Sequence, residues 1–594
     1  MYHISWRYTQ IINLKGVKKI MSKRKILTFA LSLFATVLTA CDPGTNPESK
    51  GITFDDLNVA SNYIASKEFY VDSNGNQAYT ATYISGDPNT LGDVGVFVLP
   101  VEFEDAPASE LPGGAEFQLQ KIEEAFFGDP ATNPYLTESL KSYYAKSSYG
   151  KMNIVGDVAD SWWNCGMTIN ELAEVYVRDY NNGTSGSAPF KVLREYYMER
   201  TGLSRVGYIT VEGYNWANTY DKNRDGFIDC IAMIYSAHSY PNMSYIPTSL
   251  SQAYQDTFWA FTHSDFYQKP WLTTNVTDPT LIEQYTQLPN NYVPCYYRFL
   301  WMSWDQIWFG GYYNADHTFT SLSWKNASQA AQLTNLIASG EALLDTHTII
   351  HESGHALCAF EDYYTYDYDG YMPAGYLDMM DHNLGDHNAY SKMLAQWITP
   401  TVVTEPGVYT LPALQDTNEG SVIIIKARGL EYRNTPLDEY IMLELYTPTG
   451  LNERDSIYPL EGYNTYTDVG VEVYHVDSRF GLYSYNETSQ QYVFQRYSTA
   501  LSMGDRQRTM ICADNTSSRS VDPNFKLLHL LESSGDNTFA NNGYATNETL
   551  FKVGDSFGVR TFRNFTMNSG DAFGWTFEIT SIENNVATIT VKEA

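Results

Sequence analysis

The run HTIIHESGHALCAFEDYY, residues 347–364, holds the residue types of metal-assisted hydrolysis. His351 and His355 are four apart, so on a helix they lie about one turn apart on one face. Two neutral imidazoles so placed can grip one tetrahedral zinc ion. Glu352 follows the first His and points toward the opening beside the metal. There it serves as general base to a water and then passes the proton to a leaving amine. The ion itself lowers the pKa of water to about 7 and polarises a carbonyl. A third ligand is required. In one large class of zinc peptidases the chain turns on a Gly three residues after the second His, and the ligand lies three further on. That count selects Glu361, which is preferred here, with Asp362 the equally able alternative. Cys358 stands at the Gly position. Cysteine does not take positive φ cheaply, so a slightly longer helix is expected, which favours Asp362. Cys358 as a thiolate ligand is the weakest choice, because it would change the acidity of the water.

A second run, DKNRDGFID, places oxygen side chains at Asp221, Asn223, Asp225 and Asp229, with Gly226 at the sharp turn and the Phe227 carbonyl at the seventh position. These are the first nine positions of an EF-hand loop. Position twelve is Ala232, not the bidentate Glu, and an apolar strand follows. The expectation is a structural calcium loop rather than a sensor.

These residues need a scaffold. The chain has 594 residues, which implies two or three domains. VGVFVLPVEF (94–103) and CIAMIYSA (230–237) read as buried strands. LTESLKSYYAKSSYGKMNIVGDV reads as a helix that breaks at Ser-Tyr-Gly into a strand. With the helix of the HExxH run they predict an α/β (α+β) zincin-like catalytic domain over 86–400. Within it, 240–325 is rich in Tyr, Trp and Pro and reads as an irregular aromatic insertion. Trp301, Trp304 and Trp308 there either line a substrate groove or pack a core. Past Pro400 the short β runs GVYTLPAL, SVIIIKA, YIMLELY and VATITVKEA predict a β-rich region over 401–594, as one or two sandwich-like domains.

The start reads as an address. MSKRKILTFALSLFATVLTAC, from Met21, has a basic n-region, a short apolar run and a small-residue site ending at Cys41. It resembles a bacterial lipoprotein signal, so residues 1–41 are expected to be a signal region with Cys41 lipidated. Residues 42–85 are read as a tether and pro-segment. The expected location is the cell envelope, with lipid at Cys41 the only membrane contact. The other cysteines, at 165, 230, 295, 358 and 512, imply no disulfide framework. A net charge of −31 repels a phosphate backbone, so nucleic acid is excluded as a partner.

Downstream of the HExxH run lies GYLDMMDHNLGDHNAYSKMLAQWITP, 375–400. Asp378-Met379-Met380-Asp381 is similar to the D-x-M turn, and Ala389-Tyr390-Ser391-Lys392, Trp397 and Pro400 to the closing helix, of the immune inhibitor A family of secreted bacterial zinc metallopeptidases. SYYAKSSYGKMNIVGDV and VYHVD (473–477) resemble further segments of that family, so the likeness runs over roughly 90–480. The resemblance implies a zinc endopeptidase, Met380 as the floor of the site, and bound calcium. It implies a protein or peptide substrate cut by a monomer. An oxyanion donor is needed as well, with Tyr376, His387 and Tyr390 as candidates near in sequence. A reading of another class is a non-catalytic surface lipoprotein that binds glycan or host protein through the aromatic insertion. The intact His351, Glu352 and His355 favour the enzyme.

Overall fold

The computed structural model describes residues 69–71, 77–79, 90–182, 188–264, 276–289, 292–366, 370–430, 436–458, 466–486, 491–497, 507–511, 513, 515–516 and 525–594. Cys41 with its signal, most of the 42–85 segment and Cys512 lie outside the described residues. Phe69–Val71 and Gln77–Tyr79 pair antiparallel, and Phe69 stands opposite Thr509 of the C-terminal region. No helix among the described residues is long and apolar enough to cross a membrane.

The fold is mixed α/β, with helices and several sheets. Six strands build the first sheet: β1 (Gly92–Glu102), β2 (Met152–Val158), β3 (Trp163–Asn164), β4 (Cys230–Tyr235), β5 (Phe261–Ser264) and β6 (Arg298–Ser303). Their order is β2-β1-β4-β6-β5, with β3 paired to the end of β1. All neighbours run parallel except β5, which is antiparallel to β6 at the edge. The apolar runs fit this placement because both faces are covered. Val94, Val96 and Val98 of β1 enter one core, and Phe97, Leu99 and Val101 enter the core on the other side.

The 240–325 stretch departs from its expectation. It supplies β5 and β6, so it is part of the sheet and not an insertion. Trp301, Trp304 and Trp308 are 0%, 2% and 4% exposed, so all three pack the core and none lines a groove. The dense aromatics hid a strand whose six residues are all buried.

Three helices position the chemistry: α1 (Leu140–Ser147), α2 (His347–Cys358) and α3 (Ala389–Leu394). Helix α2 lies on β5 and β6 and buries Ile349, Ile350, Ala356 and Leu357 in the first core. Two of its carbonyls accept from outside the helix. Tyr144 of α1 donates to the Ile350 carbonyl at 2.9 Å, and Arg298 of β6 donates to that of Ala356 at 2.8 Å. Asn388 caps α3 by accepting from the Ser391 amide at 3.0 Å.

The C-terminal region is β-rich, as expected. Strands β7 (Thr399–Val402), β8 (Gly407–Pro412), β9 (Glu419–Ile425), β10 (Glu439–Tyr446), β11 (Gly470–Asp477), β12 (Leu528–Leu530), β13 (Ser556–Phe557), β14 (Trp575–Glu583) and β15 (Val586–Glu593) form two sheets. The orders are β7-β9-β10-β11-β12 and β8-β15-β14-β13. The β10 side chains alternate between two cores. Ile441 and Leu443 join the sandwich interior with Phe577 and Ile589, whereas Tyr440 and Met442 join the core of α2 and the first sheet. The chain past residue 400 therefore shares a core with α2 and the first sheet.

Candidate metal centre

The two helical histidines are fixed from behind. His351 Nδ1 lies 2.8 Å from the Met379 carbonyl oxygen, and His355 Nδ1 lies 2.6 Å from that of Phe360. A carbonyl only accepts, so each Nδ1 carries the proton and donates. Each Nε2 is then the free donor atom for a metal, and the ring is held from turning. Asp362 Oδ1 lies 3.0 Å from His351 Nε2 and 3.1 Å from His355 Nε2. Among the described residues these are the one group of three or more His, Cys, Asp or Glu whose ligand atoms lie mutually within 4.8 Å.

The third position is therefore taken by Asp362, not by the preferred Glu361. The physical reason is the end of α2. The left-handed residue is Ala359, with φ 55° and ψ 35°, one later than the Gly position of the counting rule. Cys358 stays helical, the turn comes a residue later, and the acid delivered to the imidazoles shifts by one. Cys358 is buried, and burial pushes its thiol pKa up, so it remains a protonated core side chain.

The electrostatics of the group ask for a cation. At His351 burial opposes the imidazolium, but hydrogen bonding and charge attraction from Asp362 outweigh it and raise the pKa. At His355 burial is likewise outweighed by Asp362, and the pKa rises to about 10. Asp362 is held well below the usual carboxylate range, because attraction to the two rings exceeds the penalty of burial. A positive charge between the three donors is favoured, and two imidazoles with one carboxylate suit zinc.

Glu352 is buried, and Thr262 on β5 holds it. The Thr262 hydroxyl lies 2.7 Å from the Glu352 carbonyl oxygen and 3.1 Å from Oε2. Met380 lies under the helix. A Cβ built on Gly354 would come 2.6 Å from Met380 Sδ, so the Gly of HESGH makes room for that sulfur. Asp378 holds the turn at φ 88°. Its Oδ1 accepts from the Met380 amide, and its Oδ2 from both nitrogens of Asn388, each at 2.6 Å. The turn is thereby tied to α3, where buried Lys392 pairs with Asp386 at 2.7 Å.

The candidate oxyanion donors fare differently. His387 and Tyr390 are wholly buried, so neither reaches a substrate. Tyr376 is half-buried in the turn, with its ring against His382. Sequence reasoning passed over Thr262, Gly354 and Tyr366, whose hydroxyl donates to Asp362 Oδ2. Only Gly354 left a signal, since a Gly inside an active-site helix asks for a close neighbour.

The acidic loop is folded as a tight turn. The Gly226 amide donates to Asp221 Oδ2 at 3.0 Å, the Asp225 amide to Asn223 Oδ1 at 3.1 Å, and the Phe227 amide to Asp225 Oδ1 at 2.8 Å. Asp229 Oδ2 accepts from the Gly95 amide of β1 at 2.7 Å. Asp221 Oδ1 is buried without a hydrogen-bond partner. Burial and the charge of Asp225 push Asp221 up to about 6, and burial with nearby Asp221 and Asp225 pushes Asp229 up to about 7. These side chains do not converge as the zinc-type group does.

Scanned against protein-family models the chain matches none, and a search of curated proteins returns no match.

Proposed function

We propose that the chain is a zinc-dependent endopeptidase that cuts polypeptides with a water activated at the His351–His355–Asp362 centre. The observation that carries this is the position of Asp362 Oδ1, 3.0 and 3.1 Å from two Nε2 atoms whose rings are fixed through Nδ1. Zinc at these donors supplies Lewis acidity, acidifying water and polarising a carbonyl. Glu352, aligned by Thr262, takes the proton of the attacking water and delivers it to the leaving amine. An extended peptide suits the position of β5. That strand edges the first sheet, carries Thr262, and pairs with β6 alone among the described residues. Main-chain pairing on such an edge aligns a peptide without regard to its side chains.

The resemblance to immune inhibitor A peptidases supports the same reading and adds a secreted setting and bound calcium, while the signal ending at Cys41 adds the lipid anchor. In this reading Asp221, Asn223, Asp225, Phe227 and Asp229 hold the calcium as a structural ion. The reading as a polymer- or glycan-binding lipoprotein gets no support from Trp301, Trp304 and Trp308, which are buried.

The test pairs metal analysis with cleavage. The purified chain is expected to hold one zinc and to cut denatured protein. Glu352→Gln is expected to keep the zinc and lose about 10²–10⁴-fold in rate. A Glu352→Gln protein that cuts like its parent would remove Glu352 from the role of base.

A further inference from the structure

We propose that Tyr366 is a positioning residue that keeps Asp362 a one-oxygen ligand, and so keeps a coordination position open for water. This rests on the zinc reading above. A carboxylate offers two oxygens, and a carboxylate that chelates through both fills the position that catalytic sites leave to water. Here the two oxygens are divided. Oδ1 faces both Nε2 atoms, and Oδ2 accepts from the Tyr366 hydroxyl. With Oδ2 engaged as an acceptor, the carboxylate is held against rotation toward the ion.

Tyr366 is itself located from two sides. Its ring packs against that of Tyr364, with centroids 5.5 Å apart, and Tyr364 in turn lies 6.4 Å from the His351 ring. Its amide donates to the Thr516 carbonyl at 2.8 Å. The same stretch is tied at Tyr363, whose carbonyl accepts from Asn515 Nδ2 at 2.8 Å. Asn515 Nδ2 also lies 2.8 Å from the Leu528 carbonyl of β12. The loop carrying the third ligand is thus fastened to the β-rich region on one side and to the imidazoles on the other. Tyr366 is 49% exposed, so it faces the open side of the centre and is not needed to fill the core.

Cobalt(II) in place of zinc reads the coordination number directly, because four-coordinate cobalt absorbs visible light several times more strongly than five- or six-coordinate cobalt. Parent protein loaded with cobalt is expected to give the strong, four-coordinate spectrum. Tyr366→Phe is expected to bind cobalt with a clearly weaker spectrum and to lower kcat about tenfold or more at little changed KM. Its metal-free melting temperature is expected to stay at the parental value, which separates ligand positioning from damage to the fold. An unchanged cobalt spectrum in Tyr366→Phe overturns the proposal whatever happens to the rate. A parent that takes up no cobalt overturns the zinc reading and this proposal with it, so the two failures are told apart by the parent alone.

Discussion

At the His351–His355–Asp362 centre, the donors sit on a helix and the loop after it, and they are fixed by the Met379 carbonyl from a separate turn and by the Phe360 carbonyl and Tyr366 hydroxyl of that same loop. At the 221–229 loop, the acids sit within nine residues and are fixed mostly by the amides of the same turn. The charges differ too. Asp362 faces imidazoles and its pKa falls, whereas Asp221 and Asp229 are buried near other acids and theirs rise. The first group brings unlike donors together at one point. The second concentrates negative charge in a local turn whose acids do not converge.

The largest expected effect breaks this comparison if it fails. His355→Ala should abolish both bound zinc and cleavage while the calcium-dependent rise in melting temperature persists. Asp229→Asn should do the reverse, removing that rise and leaving the rate of the folded enzyme near parental. Metal content, thermal melts with and without calcium, and peptide cleavage read all four arms. Equal loss of activity in both variants would mean that the two sites are one cooperative unit.

A smaller effect tests the support behind Glu352. Thr262→Val keeps the shape and removes the hydroxyl. It is expected to lower kcat about tenfold, or about 1.4 kcal/mol, with zinc retained and Thr262→Ser restoring the rate. A Val variant as fast as its parent would leave the base positioned by the helix alone.

Gly354→Ala drives a methyl into Met380 Sδ, and overpacking of this kind costs about 1–3 kcal/mol. The expected readout is a lower melting temperature, and an unchanged one would show that the turn yields freely.

The smallest effect concerns a pair of buried acids. Glu444 and Glu472 lie side by side at a cavity of about 30 Å³ beside Asp378. Burial and their mutual charge push Glu444 well up, and burial foremost pushes Glu472 up to about 7. The folded state holds their proton more tightly than the unfolded state. The contribution of Glu472 is therefore full below the ordinary value of 4.5 and is lost as pH rises through about 7. Melts across that window should show the fall, and Glu472→Gln should flatten it. A Gln variant with the parental pH slope would place the titration elsewhere.

Much of this was legible from local spacing. Two histidines four apart declare a shared helical face whatever surrounds them, and the acidic loop declares its turn through Gly226. The third donor was legible only in part: the count gave Glu361 while Cys358 at the Gly position pointed to Asp362, and the outcome depends on which residue takes the left-handed conformation at the end of α2. Ala359 takes it, and the register of Glu361 and Asp362 follows. Strand β6 was hidden because it lies inside a stretch dense in Tyr, Trp and Pro that reads as irregular, although its residues are all buried. The seam past residue 400 was hidden for a related reason. Both faces of β10 are covered, so YIMLELY carries no mark of which core each side chain enters.

The ties from Asn515 and Thr516 to the stretch 363–366 mean that the half carrying His351, His355 and Asp362 does not own all of its scaffolding. The distant tail acts as a splint, so the two halves are poor candidates for exchange as independent cassettes. A chimera that grafts a foreign tail must recreate an amide side chain and a carbonyl at those two points, or the loop carrying Asp362 is left unbraced.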